Sequence, residues 1–126
     1  MISREEVLMG REVAAPLSAE QANNLDNILL PALNKFRARR GLPMIVSSGY
    51  RPPEINEEVG GAPNSNHCKC LACDFKDPDG ALDEYCLDNQ DVLVECGLWL
   101  ESPSFTDGWC HLQAVPPRSG NRVFIP

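Results

Sequence analysis

Two histidines and one aspartate are the residues of this chain best suited to chemistry. His67 and Asp74 lie seven residues apart in the stretch SSGYRPPEINEEVGGAPNSNHCKCLACD, and His111, the only other histidine, lies in WCHLQ near the C-terminus. Two imidazoles and a carboxylate are what a hydrolytic zinc takes from a protein, because a catalytic site keeps its remaining position for water. The plain alternative is two ordinary histidines, each satisfied by a hydrogen bond. The cysteines add a third possibility. His67, Cys68, Cys70 and Cys73 place four soft donors close together, the pattern of a closed structural zinc site, although a clear second pair is lacking. If residues 70–74 form a strand, Cys70 points with Asp74 and Cys73 points away.

For these side chains to meet, the chain must fold as one unit. At 126 residues with 43% hydrophobic side chains it is long enough for one domain with its own core. We take residues 1–126 as a single domain: residues 1–42 as helical support, 43–115 as the core carrying the metal site, and 116–126 as a tail. The net charge of −7 and pI near 4.7 argue against nucleic-acid partners and against docking to anionic lipid. No apolar run is long enough to insert in a membrane, and the charged MISREEVLMGREV is not a secretory leader. The expectation is therefore synthesis in a cytoplasm without a signal peptide. There the six cysteines stay reduced, and Cys86, Cys96 and Cys110 read as small core residues.

The supporting elements are legible in outline. Ser3 with Glu6 can cap a short first helix ending near Gly10, and Ser18 with Gln21 is a second capping box. Leu25, Ile28, Leu29, Leu33 and Phe36 then recur at helical spacing up to a stop at Gly41, with Pro31 expected to kink or divide the helix. Residues 44–48, 71–76, 98–101 and 109–115 read as strands, and 81–87 and 88–96 as helices. Residues 49–66 form a long irregular loop in which Pro53 to Val59 can make a turn or two of helix. Val123-Phe124-Ile125 is a small apolar group able to tuck onto the body. The fold class is α+β, with a small, mostly antiparallel sheet against N-terminal helices. Within residues 109–115, alternation puts Trp109, His111 and Gln113 on one face, with Trp109 and Gln113 as candidate cleft lining.

Four motifs, Ser48-Gly49-Tyr50-Arg51, Ser65-Asn66-His67, Ala72-Cys73-Asp74 and Trp109-Cys110-His111, resemble in order and spacing the D-alanyl-D-alanine carboxypeptidase family of zinc peptidases. That family includes phage endolysins cutting the L-alanyl–D-glutamate bond and the dipeptidases of vancomycin resistance, and the hedgehog signalling domain shares its fold. SGNRVFIP resembles the tail of small phage-encoded members. The resemblance implies one zinc held by His67, Asp74 and His111, with Arg51 on the substrate carbonyl and its oxyanion, and Ser65 on the peptide. It implies a peptidoglycan stem or cross-bridge as substrate and action at the cell wall. A non-catalytic virion component beside other virion proteins is the alternative.

The chain departs from the family pattern twice. Cys70 stands where glycine is usual, and Gly108 stands where many members carry the acid that serves as general base. Glu101, in an apolar setting where burial raises a carboxyl pKa, is the preferred replacement, with Asp107 second.

Overall fold

A computed structural model describes residues 1–126. Helix α1 (Arg4–Leu8) starts at a reciprocal cap: the Ser3 hydroxyl accepts from the Glu6 N–H, and the Glu6 carboxylate accepts from the Ser3 N–H. Ser18 and Gln21 open α2 (Ala19–Asn23) in the same way. Each box satisfies N–H groups that a helix start otherwise leaves bare.

The expected break at Pro31 is replaced by a change of pitch. Residues Asn24–Leu29 form a π-helical segment that runs directly into α3 (Leu30–Arg40), and the Leu30 N–H reaches back to the Leu25 carbonyl. Proline has no N–H for the carbonyl four residues back, and its ring crowds that carbonyl; one wide turn relieves both. The same turn corrects the apolar stripe. Leu25, Leu29, Leu33 and Phe36 are fully buried, each contributing about 1.5–3 kcal/mol, whereas Ile28 is swung outward and is 40% exposed. Gly41 ends α3 in a left-handed conformation (φ 77°). No helix is long and apolar enough to cross a membrane.

The strands are β1 (Val46–Ser48), β2 (Ala72–Lys76), β3 (Trp99–Glu101), β4 (Trp109–Gln113) and β5 (Val123–Phe124), arranged β1-β2-β4-β3-β5. Every pairing is antiparallel except β3 with β5. The fold is thus α+β with a mostly antiparallel sheet. The terminal apolar group goes further than tucking: Val123 and Phe124 add an edge strand, while Ile125 stays in solvent. Helices α5 (Ala81–Asp88) and α6 (Gln90–Cys96) cover one face of the sheet together with α3, and Cys73, Phe75, Leu100, Cys110 and Leu112 fill that core. Arg39 pairs with Glu95, and the Lys35 ammonium donates to the Glu95 carbonyl, tying α3 to α6.

The opposite face carries the chemistry. Ser48 pairs with Asp74 and Asp74 with His111. One step beyond the Leu100–Leu112 pair brings Glu101 alongside His111, and Glu101 pairs with Phe124. A single row of side chains therefore crosses the sheet through Ser48, Asp74, His111, Glu101 and Phe124.

Candidate active site

His67 is the one member of the cluster that does not stand on a strand. It lies in the loop after α4 (Pro53–Glu58), where its N–H donates to the Ser65 hydroxyl (3.2 Å). Gln21 and Asn24 hold the next turn by donating to the Cys68 and Lys69 carbonyls. Those two donors sit on α2 and on the first residue of the π-helical segment, so the N-terminal helices position the ligand loop directly. The loop returns to the sheet through Cys70, whose φ is +59°. That left-handed backbone is one that glycine adopts most readily, so a side chain at position 70 is held there under strain. It also corrects the strand expectation, because β2 begins only at Ala72 and alternation does not extend back to Cys70.

A second clamp holds the Ser-Gly-Tyr-Arg motif. The Tyr50 N–H donates to the Val7 carbonyl, the Tyr50 hydroxyl to the Ala15 carbonyl, and Arg11 to the Tyr50 carbonyl. A side chain at Gly49 would meet the Val7 carbonyl oxygen at 2.0 Å, so only glycine lets this strap close.

The three candidate ligands converge. His67 Nε2 lies 3.2 Å and His111 Nδ1 2.8 Å from the same Asp74 oxygen, Oδ1, and all three side chains are buried. Each imidazole has its other nitrogen engaged. His67 Nδ1–H donates to the Gly49 carbonyl (2.9 Å), and His111 Nε2–H donates to Gln113 Oε1 (2.9 Å), whose amide in turn donates to the Val115 carbonyl. These bonds fix the tautomers, leaving lone pairs on the two nitrogens that face the carboxylate. Three acceptor atoms thus point at one another with no donor among them, an arrangement that only a positive charge satisfies. No other group of three histidine, cysteine or carboxylate residues is similarly gathered. Cys73 faces the core, opposite to Asp74, and all six cysteines are free thiols. The donor set therefore fits a divalent cation bound by two nitrogens and one oxygen.

The proton affinities agree with this picture. Burial pushes the His67 imidazole below its usual pKa. Burial opposes protonation of His111 as well, but the bond to Asp74 outweighs it and raises that imidazole. Burial would also raise Asp74, yet its bonds to His111 and His67 hold it down at about 2. Of the two imidazoles, His111 is therefore the one whose protonation the bond to Asp74 favours. Because the folded pKa of Asp74 lies below the ordinary 3.8, its contribution is present above pH 4 and is lost as pH falls toward 2. Urea unfolding of metal-free protein should show roughly 2 kcal/mol of stability disappearing across that window, and an Asp74→Asn variant should lack this loss.

Arg51 completes the lattice. Its guanidinium donates to Asp74 Oδ2 (2.9 Å), to the Ser48 hydroxyl (3.0 Å) and more weakly to Asn56 Oδ1 (3.5 Å), and the side chain is only 13% exposed. Asn56, buried on α4, also donates to the Ala62 carbonyl and so braces the loop that rims the site. Asn56 did not stand out in the sequence, because a lone Asn in a proline-rich loop carries no periodic signature; Ser48 stood out only as part of its motif, not as a partner of Arg51.

Above the cluster lies a cleft of about 430 Å³ whose walls include Arg51, Ser65, Glu101, Trp109, Val59 and Pro126. Phe124 packs edge-on against the His111 ring (6.1 Å between centroids), so the C-terminal strand forms part of the site. Two expected residues are placed elsewhere. Gln113 does not line the cleft; it stands behind His111 as its hydrogen-bond acceptor, because its carboxamide is buried and used on both ends. Asp107 opens onto a separate depression beside Asp77 and Asp83, since the turn through Gly108 (φ 85°) points it away. Glu101 faces the cleft, and burial raises its carboxyl above the ordinary range.

Residues 7–93 match the family model described as Peptidase M15. The chain belongs to the peptidase M15 family. Membership implies a metallopeptidase, and the buried His-Asp-His cluster could hold a metal ion. Arg51, His67 and Asp74 fall inside the matched residues. His111 falls outside them, and in this M15 chain it is the β2–β4 register that delivers it. Comparison with curated proteins and with solved structures gives no match.

Proposed function

We propose that the protein is a zinc-dependent peptidase acting on the peptides of bacterial peptidoglycan, in the manner of a phage lysin. The observation that carries this reading is the convergence of three buried acceptor atoms, each locked by a hydrogen bond on its far side. His67 Nε2, Asp74 and His111 Nδ1 would hold the ion. Bound there, zinc supplies a Lewis acid that polarises the scissile carbonyl and makes water acidic enough to attack near neutral pH.

The remaining steps belong to side chains around it. Glu101 takes the proton from the attacking water and returns it to the leaving amine. Arg51, held on three sides, keeps a fixed positive charge beside the carbonyl oxygen as negative charge develops there. Ser65 and Trp109 offer a hydroxyl and an aromatic wall to the peptide. Gln113 orients His111 instead of touching substrate.

The test is hydrolysis of purified peptidoglycan by metal-loaded and chelator-treated protein, with mass analysis of the fragments. Release of peptide fragments that stops with chelator and returns with zinc is expected; zinc-loaded protein that releases none would refute the enzyme. A second reading, a virion component that keeps the fold and metal without turnover, draws on Gly108 in place of the usual acid. It predicts bound zinc without fragments.

A further inference from the structure

Strand β5 is two residues long and sits at the edge of the sheet, too short to hold itself in place, yet it carries a side chain against a candidate ligand. Phe124 is buried but stands apart from the hydrophobic core. The alternation that turns Val123 toward the core turns Phe124 to the face bearing His111. Bonds to Asp74 and Gln113 hold the two nitrogens of the His111 ring, and the His67 ring (5.2 Å between centroids) and the Phe124 ring (6.1 Å) flank it. What keeps β5 down lies at the start of the segment. The Leu100 N–H donates to the Arg122 carbonyl, and the Ser102 N–H to the Phe124 carbonyl. The Arg122 guanidinium lies 4.2 Å from the centre of the Trp99 ring and donates to the Leu98 carbonyl (2.9 Å). Neither Arg122 nor Trp99 lines the cleft.

Given the metal reading above, we propose that Arg122 is a positioning residue for the metal site: stacked on Trp99, it anchors the C-terminal strand, keeps Phe124 against His111 and so sets how tightly the ion is held. A flat guanidinium over an indole, bonded also to a carbonyl, fixes the segment at one point. The two backbone bonds carry that fix along to Phe124. An apolar cover beside a ligating imidazole limits both water entry and ring rotation, each of which competes with ligand geometry.

The experiment measures zinc affinity of the full chain by chelator competition, beside the absorption spectrum of cobalt(II)-loaded protein, which reports ligand geometry and is indifferent to turnover. Phe124→Ala should weaken zinc on the order of ten- to a hundredfold and shift the cobalt spectrum, and Arg122→Ala should weaken zinc on the order of tenfold. Because Arg122 acts through Phe124, Arg122→Ala should cost little more in a Phe124→Ala background. Arg40→Ala removes the other cation–π stack, over Tyr85 (5.9 Å), and should leave zinc affinity unchanged. Phe124→Leu keeps an apolar side chain under the strand and should still shift the cobalt spectrum, so the test stands if the alanine variant does not fold. Zinc affinity within about twofold of wild type in both Arg122→Ala and Phe124→Leu, or full additivity of the two alanine substitutions, overturns the proposal. A wild type that binds zinc without releasing fragments refutes the peptidase and leaves this role of Arg122 standing, whereas a wild type that binds no zinc removes both.

Discussion

Replacing His67 with alanine should remove zinc and hydrolysis together while leaving the fold standing. The imidazole supplies one of three convergent acceptors, and its loss leaves two, too few to hold the ion in competition with water. Loss of the metal's Lewis acidity should lower kcat/KM on the order of 10³-fold or more. The Asp74–Arg51 and Asp74–His111 bonds do not pass through His67 and survive the substitution. Asp74→Ala should lose the same metal and, in addition, destabilise the fold by about 3–5 kcal/mol, because the nearly buried guanidinium of Arg51 is left without its carboxylate. Metal content measured on purified variants, beside urea unfolding, separates the two effects. A His67→Ala protein that still carries one zinc per chain would mean that the ion lies elsewhere.

Glu101→Gln should lower kcat by about 10²–10⁴-fold with metal content unchanged, the loss expected when a general base is removed. Glutamine keeps the shape of the side chain but cannot take a proton. The pH profile adds a second readout. Burial raises the Glu101 carboxyl, so the wild-type rate should fall as pH drops through a value above the ordinary carboxylate range. In the glutamine variant that acidic limb should disappear. Asp107→Asn serves as the comparison, since Asp107 opens onto the depression beside Asp77 and Asp83, away from the cleft. A Glu101→Gln enzyme with nearly wild-type kcat would send the proton through another group, and an impaired Asp107→Asn would point to that one.

Much of the scaffold could be read from local chemistry. The two capping boxes, the stop at Gly41 and the alternation in residues 109–113 depend on neighbours a few positions apart, and each stands where its residues imply. Pro31 was readable only in part. Its missing N–H was evident, but whether the helix breaks or widens depends on what the core requires of Leu25 and Leu29. The same limit applies to Ile28, which follows the helical repeat and yet faces solvent.

The residue types of a metal site, two histidines and one aspartate, belong to the sequence, as does the arginine upstream of them. Their convergence belongs to the tertiary structure. Sheet order puts β2 beside β4, which makes Asp74 and His111 cross-strand partners although they are 37 residues apart. The same order placed Glu101, the acid that local context already preferred, on the cleft and Asp107 away from it, and turned Gln113 from a substrate contact into a support for His111. The C-terminal strand supplied Phe124 through a parallel pairing that no short stretch of chain encodes. The physical reason is the same each time. Capping and periodicity act over a few bonds, whereas ligand geometry depends on which strand edges meet, and that follows from burying the whole core at once.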